Sequence, residues 1–189
     1  AHATQPVGRV RYCLMLNDMG SVIDDGVAWR LAEDDFYVTA TTGDVTVNDS
    51  VRILGDVNVS AAQGDIHLGG NNLHYLGGDG AVSTDTLTLT AANGLVHVAG
   101  AIGNGEEGSD RLNWLHVADA VDVSFDGDIH LDGDLIIDAT GIVEINGAVH
   151  LRNGGDLIIR GATQVILRGS VLLEGIAAGE AGTLMLEGD

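Results

Sequence analysis

The sequence predicts an all-β protein in which a short β-meander precedes a right-handed parallel β-helix, a solenoid with three short strands per coil of about 20–22 residues. A five-residue pattern supports this class: it begins with glycine, has aliphatic residues at positions three and five, and recurs after Gly43. The chain has 28 glycines, one proline and 4% aromatic residues, so turn residues are frequent and large core side chains are few. No helical periodicity follows Gly43, which excludes a βαβ fold and leaves a β-sandwich as the alternative.

The clearest repeats lie between Gly127 and Leu173, where seven pentapeptides follow one another and superimpose in threes. Side chains alternate along a strand, so the two aliphatic positions share one face, and that face should point inward. Ile129, Val149 and Val171 are expected to form one interior row. Further predicted rows are Leu131–Leu151–Leu173, Leu135–Leu157 and Ile137–Ile159. The glycine that starts each strand is expected to supply the corner conformation.

Residues 44–189, the second predicted domain, resemble the repeats of filamentous-haemagglutinin-like adhesins and related giant bacterial β-helix proteins. The resemblance rests on the pentapeptide pattern and on turns such as Asn146-Gly147-Ala148-Val149. It implies a structural or adhesive segment at the cell surface or outside the cell. Each coil buries its aliphatic row only against adjacent coils, so the expected partners are neighbouring coils of a longer chain.

Residues 1–43, the first predicted domain, lack the pentapeptide pattern. Alternating apolar residues and polar turns predict three strands here, Val10–Leu16, Val22–Arg30 and Phe36–Thr41. Three consecutive strands with short turns make a β-meander. The junction near Gly43 is either a natural domain fusion or an artefactual joining of two genes.

The same N-terminal residues resemble the folate-binding aminomethyltransferase superfamily, which includes sarcosine oxidase alpha subunits and the sarcosine and dimethylglycine dehydrogenases. The resemblance is carried by Gly8–Tyr12, Met15–Asn17, Asp24-Asp25-Gly26 and Arg30–Asp34. It implies that Asp24 or Asp25 faces a bound tetrahydrofolate, where a carboxylate orients the cofactor or helps to place a proton. It also supplies the alternative function, a cytoplasmic fragment of a folate-dependent aminomethyltransferase or a sarcosine-oxidising or dimethylglycine-oxidising enzyme.

In that family a much longer chain closes the folate pocket, whereas the resemblance ends near Gly43. We therefore expect the fragment to be inactive as it stands, with Asp24 and Asp25 as part of an ordinary acidic strand and turn. No cofactor is expected under the main interpretation, and tetrahydrofolate only under the alternative.

The formal charge of −20 excludes nucleic acid as a partner, because an acidic surface repels phosphate backbones. A hydrophobic content of 45% argues against intrinsic disorder despite this charge. No apolar run long enough to span a membrane is present, and Cys13, the single cysteine, cannot form an internal disulfide.

Carboxylates at two successive corners are candidate ligands for Ca²⁺, which prefers hard oxygen donors. They are Asp126, Asp128, Asp132 and Asp134. Solvated corner aspartates are the alternative explanation. Histidines recur at the outward fourth position of the pattern, as His67, His97, His130 and His150, and stacked imidazoles on a flat face are not expected to converge on zinc.

Three isoleucines are predicted to face outward on neighbouring strands: Ile136, Ile158 and Ile166. Exposed apolar surface on an acidic protein favours a protein contact, either with the N-terminal meander or with another chain. The alternative is the ordinary scatter of apolar residues on a surface.

Overall fold

The computed structural model describes residues 6–16, 22–30, 36–40, 43–48, 51–53, 55–69, 75–77, 84–103, 111–175 and 180–188, and their regular secondary structure is entirely β-strand. The predicted all-β class is confirmed. Among these residues, no helix has the length and apolar character needed to cross a membrane. The strands are β1 (Val10–Leu16), β2 (Val22–Arg30), β3 (Phe36–Ala40), β4 (Val45–Val47), β5 (Val51–Arg52), β6 (Asp56–Ala61), β7 (Ile66–Leu68), β8 (Tyr75–Gly77), β9 (Thr86–Val98), β10 (Ala101–Ile102), β11 (Trp114–Phe125), β12 (Ile129–Leu131), β13 (Leu135–Ala139), β14 (Ile142–Ile145), β15 (Val149–Leu151), β16 (Leu157–Arg160), β17 (Gln164–Leu167), β18 (Val171–Leu173) and β19 (Leu184–Glu187).

Most strands pair in parallel with strands of the preceding and following repeats, which gives three columns of strands. The first column contains β3, β6, the first half of β9 and of β11, β13, β16 and β19. The second contains β4, β7, the second half of β9 and of β11, β14 and β17. The third is a separate six-stranded sheet of β5, β8, β10, β12, β15 and β18. Large parallel sheets therefore account for most of the described chain.

The register of these columns confirms the predicted rows. Ile129 pairs with Val149, and Val149 with Val171. In the first column Leu135 pairs with Leu157. Contacts between adjacent repeats span 20 to 22 residues in this part of the chain, as the sequence predicts. The first step, between Asp44 and Asp65, is also 21 residues, and the next, between Asp65 and Leu95, is 30 residues.

Alternation along the strands places one hydrophobic core between the columns. Ile129, Leu135, Val143 and Val149 are at most 1% exposed, and aliphatic residues from all three columns join the same cluster. Burial decreases toward the last strands, where Leu173 is only partly buried and Leu186 is 54% exposed. A row is thus covered only when another repeat packs on each side of it.

The corner glycines are required for close packing between repeats. A Cβ atom on Gly147 would overlap the carbonyl oxygen of Gly127, and one on Gly169 would overlap that of Gly147. The backbone φ angles of these three glycines do not lie in the positive, left-handed region. The expectation that they supply a special corner conformation is therefore corrected: the missing side chain lets successive repeats approach each other.

The predicted N-terminal meander is confirmed, since β1 pairs antiparallel with β2 and β2 with β3. The predicted third strand, Phe36–Thr41, ends at Ala40, and residues 41–42 lie outside the described part of the chain. β3 then pairs in parallel with β6, from Phe36 opposite Val57 to Ala40 opposite Ala61. The meander therefore extends the sheet of the first column. The domain boundary near Gly43 stays a prediction.

Candidate functional site

The four predicted calcium ligands each have partners of their own. Oδ2 of Asp126 lies 2.9 Å from Nε2 of His97, and Oδ1 accepts a hydrogen bond from Asn146 at 3.1 Å. Asp132 is buried and accepts two hydrogen bonds from the Arg152 guanidinium, at 2.7 Å and 3.0 Å. These contacts use both carboxylate oxygens of Asp126 and one oxygen of Asp132.

Asp128 and Asp134, the other two predicted calcium ligands, accept backbone hydrogen bonds from the next repeat. Oδ1 of Asp128 accepts one from the N–H of Ala148 at 2.7 Å, and Oδ1 of Asp134 one from the N–H of Asp156 at 2.9 Å. The structure thus keeps the four predicted ligands in separate interactions. The calcium site stays a prediction.

The same contact recurs at other corners and explains the aspartate of the pentapeptide. An aspartate just before a strand, or at the corner within β11, accepts a hydrogen bond from the N–H of the equivalent position one repeat later, over 2.6–2.9 Å. The pairs are Asp44–Asp65, Asp65–Leu95, Asp122–Ile142, Asp128–Ala148, Asp134–Asp156 and Asp156–Thr183. The interpretation of corner aspartates as merely solvated is therefore incomplete, because they join repeats by charge-assisted hydrogen bonds.

The histidines of the fourth pattern position form two adjacent pairs on different columns, and the adjacency of His130 and His150 is as predicted. The ring centroids of His67 and His97 are 5.7 Å apart, and those of His130 and His150 are 5.9 Å apart. Nε2 of His150 lies 3.0 Å from a carboxylate oxygen of Glu174. Each of these side chains packs against the next repeat.

His130 and Asp126, both on the outer surface of the repeats, have shifted pKa values. Burial lowers the pKa of His130, and the charges of Arg111 and His150 lower it further, against the opposing effect of Asp128. Burial raises the pKa of Asp126, but hydrogen bonds from His97, Asn146 and Ser124 outweigh it, so the pKa is lowered overall. The neutral form of His130 and the charged form of Asp126 are thus favoured in the fold.

A row of alternating charges on the first column was missed by the sequence reasoning. Nε2 of His116 lies 2.8 Å from Oδ2 of Asp138, and Nη1 of Arg160 lies 3.4 Å from Oδ1 of Asp138. Nε of Arg160 lies 3.2 Å from Oε2 of Glu187. An open depression of about 280 Å³ beside this row is lined by Asp119, Asp138, Ala139, Thr140, Arg160 and Gly161. The sequence carried part of this signal, because Asp138, Arg160 and Glu187 occupy equivalent positions of successive repeats, whereas His116 is opposite Ile136.

Asp24 and Asp25, the residues carried over from the folate-binding resemblance, lie in β2. Asp24 is opposite Met15 and Asp25 is opposite Leu14 in β1. Their side chains lie outside the described part of the structure. Their contact with folate stays a prediction.

The outward isoleucines are half-buried. Ile136 pairs with Ile158, which pairs with Met185, so an apolar strip continues along the first column. Ile166 lies in the second column, opposite Glu144. The proposed protein contact through these residues stays a prediction.

Comparisons with known proteins found similarity in the N-terminal part of the chain. Residues 1–66 match the family described as the GCVT N-terminal domain, so the match continues beyond Gly43. A segment of 37 residues is 51% identical to the sarcosine oxidase subunit alpha of Rhizobium meliloti (strain 1021), which corresponds to 20% of this chain and 4% of that protein. The chain thus spans a small fraction of this relative. No solved structure matches the chain.

Proposed function

We propose that this chain is part of a protein related to the folate-dependent aminomethyltransferases and sarcosine-oxidising enzymes, that it is inactive in one-carbon transfer as it stands, and that its remaining length is a structural β-solenoid. The observation that carries the proposal is the match of residues 1–66 to the GCVT N-terminal domain. The identity to the sarcosine oxidase alpha subunit supports the same relationship.

The inactivity follows from the extent of this match. A folate pocket needs groups from several elements held around the pterin, and the matched residues supply only the first of them. Beyond residue 66 the described chain continues as stacked parallel strands whose corner carboxylates already accept backbone hydrogen bonds. Such carboxylates hold repeats together and are not placed to serve as proton carriers.

The structural role proposed for the later repeats is a right-handed solenoid with three strands per coil. It is supported by the three columns of parallel strands and by the single core between them. The adhesive, surface-displayed role implied by the haemagglutinin-like resemblance stays a prediction, and the comparisons add no support to it. A crystal structure of the chain tests the solenoid, and a left-handed or open arrangement would contradict it.

Isothermal titration calorimetry with tetrahydrofolate tests the proposed inactivity. We expect no binding at micromolar concentrations of the full chain. Micromolar binding that disappears on Asp24→Asn or Asp25→Asn would overturn this part of the proposal and indicate a working folate site. Sequencing of genomic DNA across the Gly43 codon separates a natural fusion from an artefactual joining.

A further inference from the structure

A cluster of three side chains with metal-binding atoms lies at the N-terminal end of the second column. It consists of Asp44, Asp65 and His67, and one ligand atom from each lies within 4.8 Å of the other two. We propose that these residues bind a divalent transition-metal ion such as Zn²⁺. This proposal is independent of the folate relationship.

The pairing of β4 with β7 brings the cluster together. Val45 is opposite Ile66, so the residues just before them, Asp44 and Asp65, lie at equivalent corners of successive repeats. His67 follows Asp65 by two residues, and side chains two apart on an extended strand share a face. Three potential ligands therefore come from two adjacent repeats.

Backbone hydrogen bonds hold both carboxylates in place. Oδ1 of Asp44 accepts the N–H of Asp65 at 2.9 Å, and Oδ1 of Asp65 accepts the N–H of Leu95 at 2.7 Å. One oxygen of each carboxylate is thus used to fix its orientation. Within the described residues, Oδ2 of each carboxylate accepts no hydrogen bond, so this oxygen is available for a metal ion.

The distance between the imidazole nitrogen of His67 and its nearest carboxylate oxygen differs from that at three other outward histidines. Nε2 of His67 lies 3.7 Å from Oδ2 of Asp65, which is too long for a hydrogen bond. The pairs His97–Asp126, His116–Asp138 and His150–Glu174 are separated by 2.8–3.0 Å and are hydrogen-bonded. Ligands of a tetrahedral zinc, with bonds of about 2.1 Å, lie roughly 3.4 Å apart. The His67–Asp65 separation is therefore closer to that of two ligands of one ion.

The surroundings of His67 restrict its ring and leave room for solvent ligands. The ring of His97 packs edge-on against it, with an angle of 83° between the rings, and is itself held by Asp126. The side chains of His67 and Asp65 are 33% and 38% exposed, so water can complete the coordination. An imidazole nitrogen with two carboxylates suits Zn²⁺, Co²⁺ or Ni²⁺ better than Ca²⁺, which prefers oxygen ligands alone.

Calorimetric titration of the full chain with ZnCl₂, and separately with CaCl₂, tests the proposal. We expect one zinc ion to bind, with an affinity that falls about tenfold or more in His67→Gln and in Asp44→Asn. The asparagine keeps an amide oxygen that can accept the Asp65 N–H, so this variant removes charge with the least disturbance to the corner. His150→Gln is the control, because it removes an outward histidine of the third column, away from the cluster, and its zinc affinity should equal that of the parent chain.

The proposal is wrong if the parent chain does not bind zinc. It is also wrong if His67→Gln and Asp44→Asn bind zinc as the parent does, or if His150→Gln loses as much affinity as they do. Calcium binding that competes equally with zinc would contradict the inferred role of the imidazole. Thermal unfolding without metal identifies a variant that has not folded. If one of His67→Gln and Asp44→Asn is unfolded, the zinc affinity of the other one tests the proposal.

Discussion

The antiparallel strands β1 and β2 belong to the same sheet as the first and second columns of parallel strands, yet the two kinds of pairing depend on sequence in different ways. β1 and β2 are neighbours in the chain and pair through a short connection, so their register depends on local sequence. The parallel strands pair with residues 20 to 30 positions away. Glycine, aspartate and aliphatic residues must therefore recur at matching positions of successive repeats. A substitution in a repeat acts first on the neighbouring repeat, whereas one in β1 acts on its own hairpin.

The largest expected effect is that of Val149→Asp, which tests whether the repeats can unfold while the hairpin persists. Val149 is 1% exposed and lies between Ile129 and Val171. An unpaired carboxylate in this row costs several kcal/mol, on the order of 3–5. Hydrogen exchange should show loss of protection from Gly127 to Leu173, worst toward the C-terminus, with β1 and β2 retained.

Val149→Ile is the matched control, because Ile129 already occupies the same row one repeat earlier. It should leave the exchange pattern close to that of the parent chain. Unchanged protection from Gly127 to Leu173 in Val149→Asp would show that the inward face is assigned to the wrong residues.

An intermediate effect is expected from Gly147→Ala. The added methyl group would overlap the Gly127 carbonyl oxygen, so the repeats must separate locally at a cost of about 1–3 kcal/mol. Gly188→Ala is the control, since no atom lies within 4 Å of the position of its added Cβ. Urea unfolding measures both. Equal stabilities would mean that close approach between repeats does not explain the corner glycines.

The interior rows could be predicted because spacing and alternation alone determine them: Ile129, Val149 and Val171 recur at the same position of successive pentapeptides. The pairing of β3 with β6 could not be predicted from the sequence, because no shared motif links Phe36 with Val57. Nor does the pattern show that β9 and β11 pass through a corner without a break.

Candidate site residues were harder to predict than the rows. The pentapeptide marks a corner aspartate but not the atom that it contacts. Asp128 was therefore predicted as a calcium ligand, with a solvated side chain as the alternative, whereas it accepts a hydrogen bond from the N–H of Ala148. The cluster of Asp44, Asp65 and His67 was missed because its members come from the less regular early repeats. Periodicity identifies which residues align, whereas a site depends on distances between side-chain atoms.

The smallest effect is expected from Asp128→Ala, at one of the corner aspartates. The structure gives this carboxylate a 2.7 Å hydrogen bond from the N–H of Ala148, at an exposed position. Loss of that bond should cost about 0.5–1.5 kcal/mol, less than Gly147→Ala on average because water can replace the acceptor.

Asp128→Asn retains an oxygen acceptor and should lose less stability than Asp128→Ala. Urea unfolding gives the stabilities, and the exchange rate of the Ala148 amide should rise in Asp128→Ala well above its value in Asp128→Asn. If the Ala148 amide exchanges at the same rate in both variants and in the parent, the corner aspartates do not join the repeats. The repeats would then differ from the β1–β2 hairpin only in their aliphatic rows and close-packed glycines.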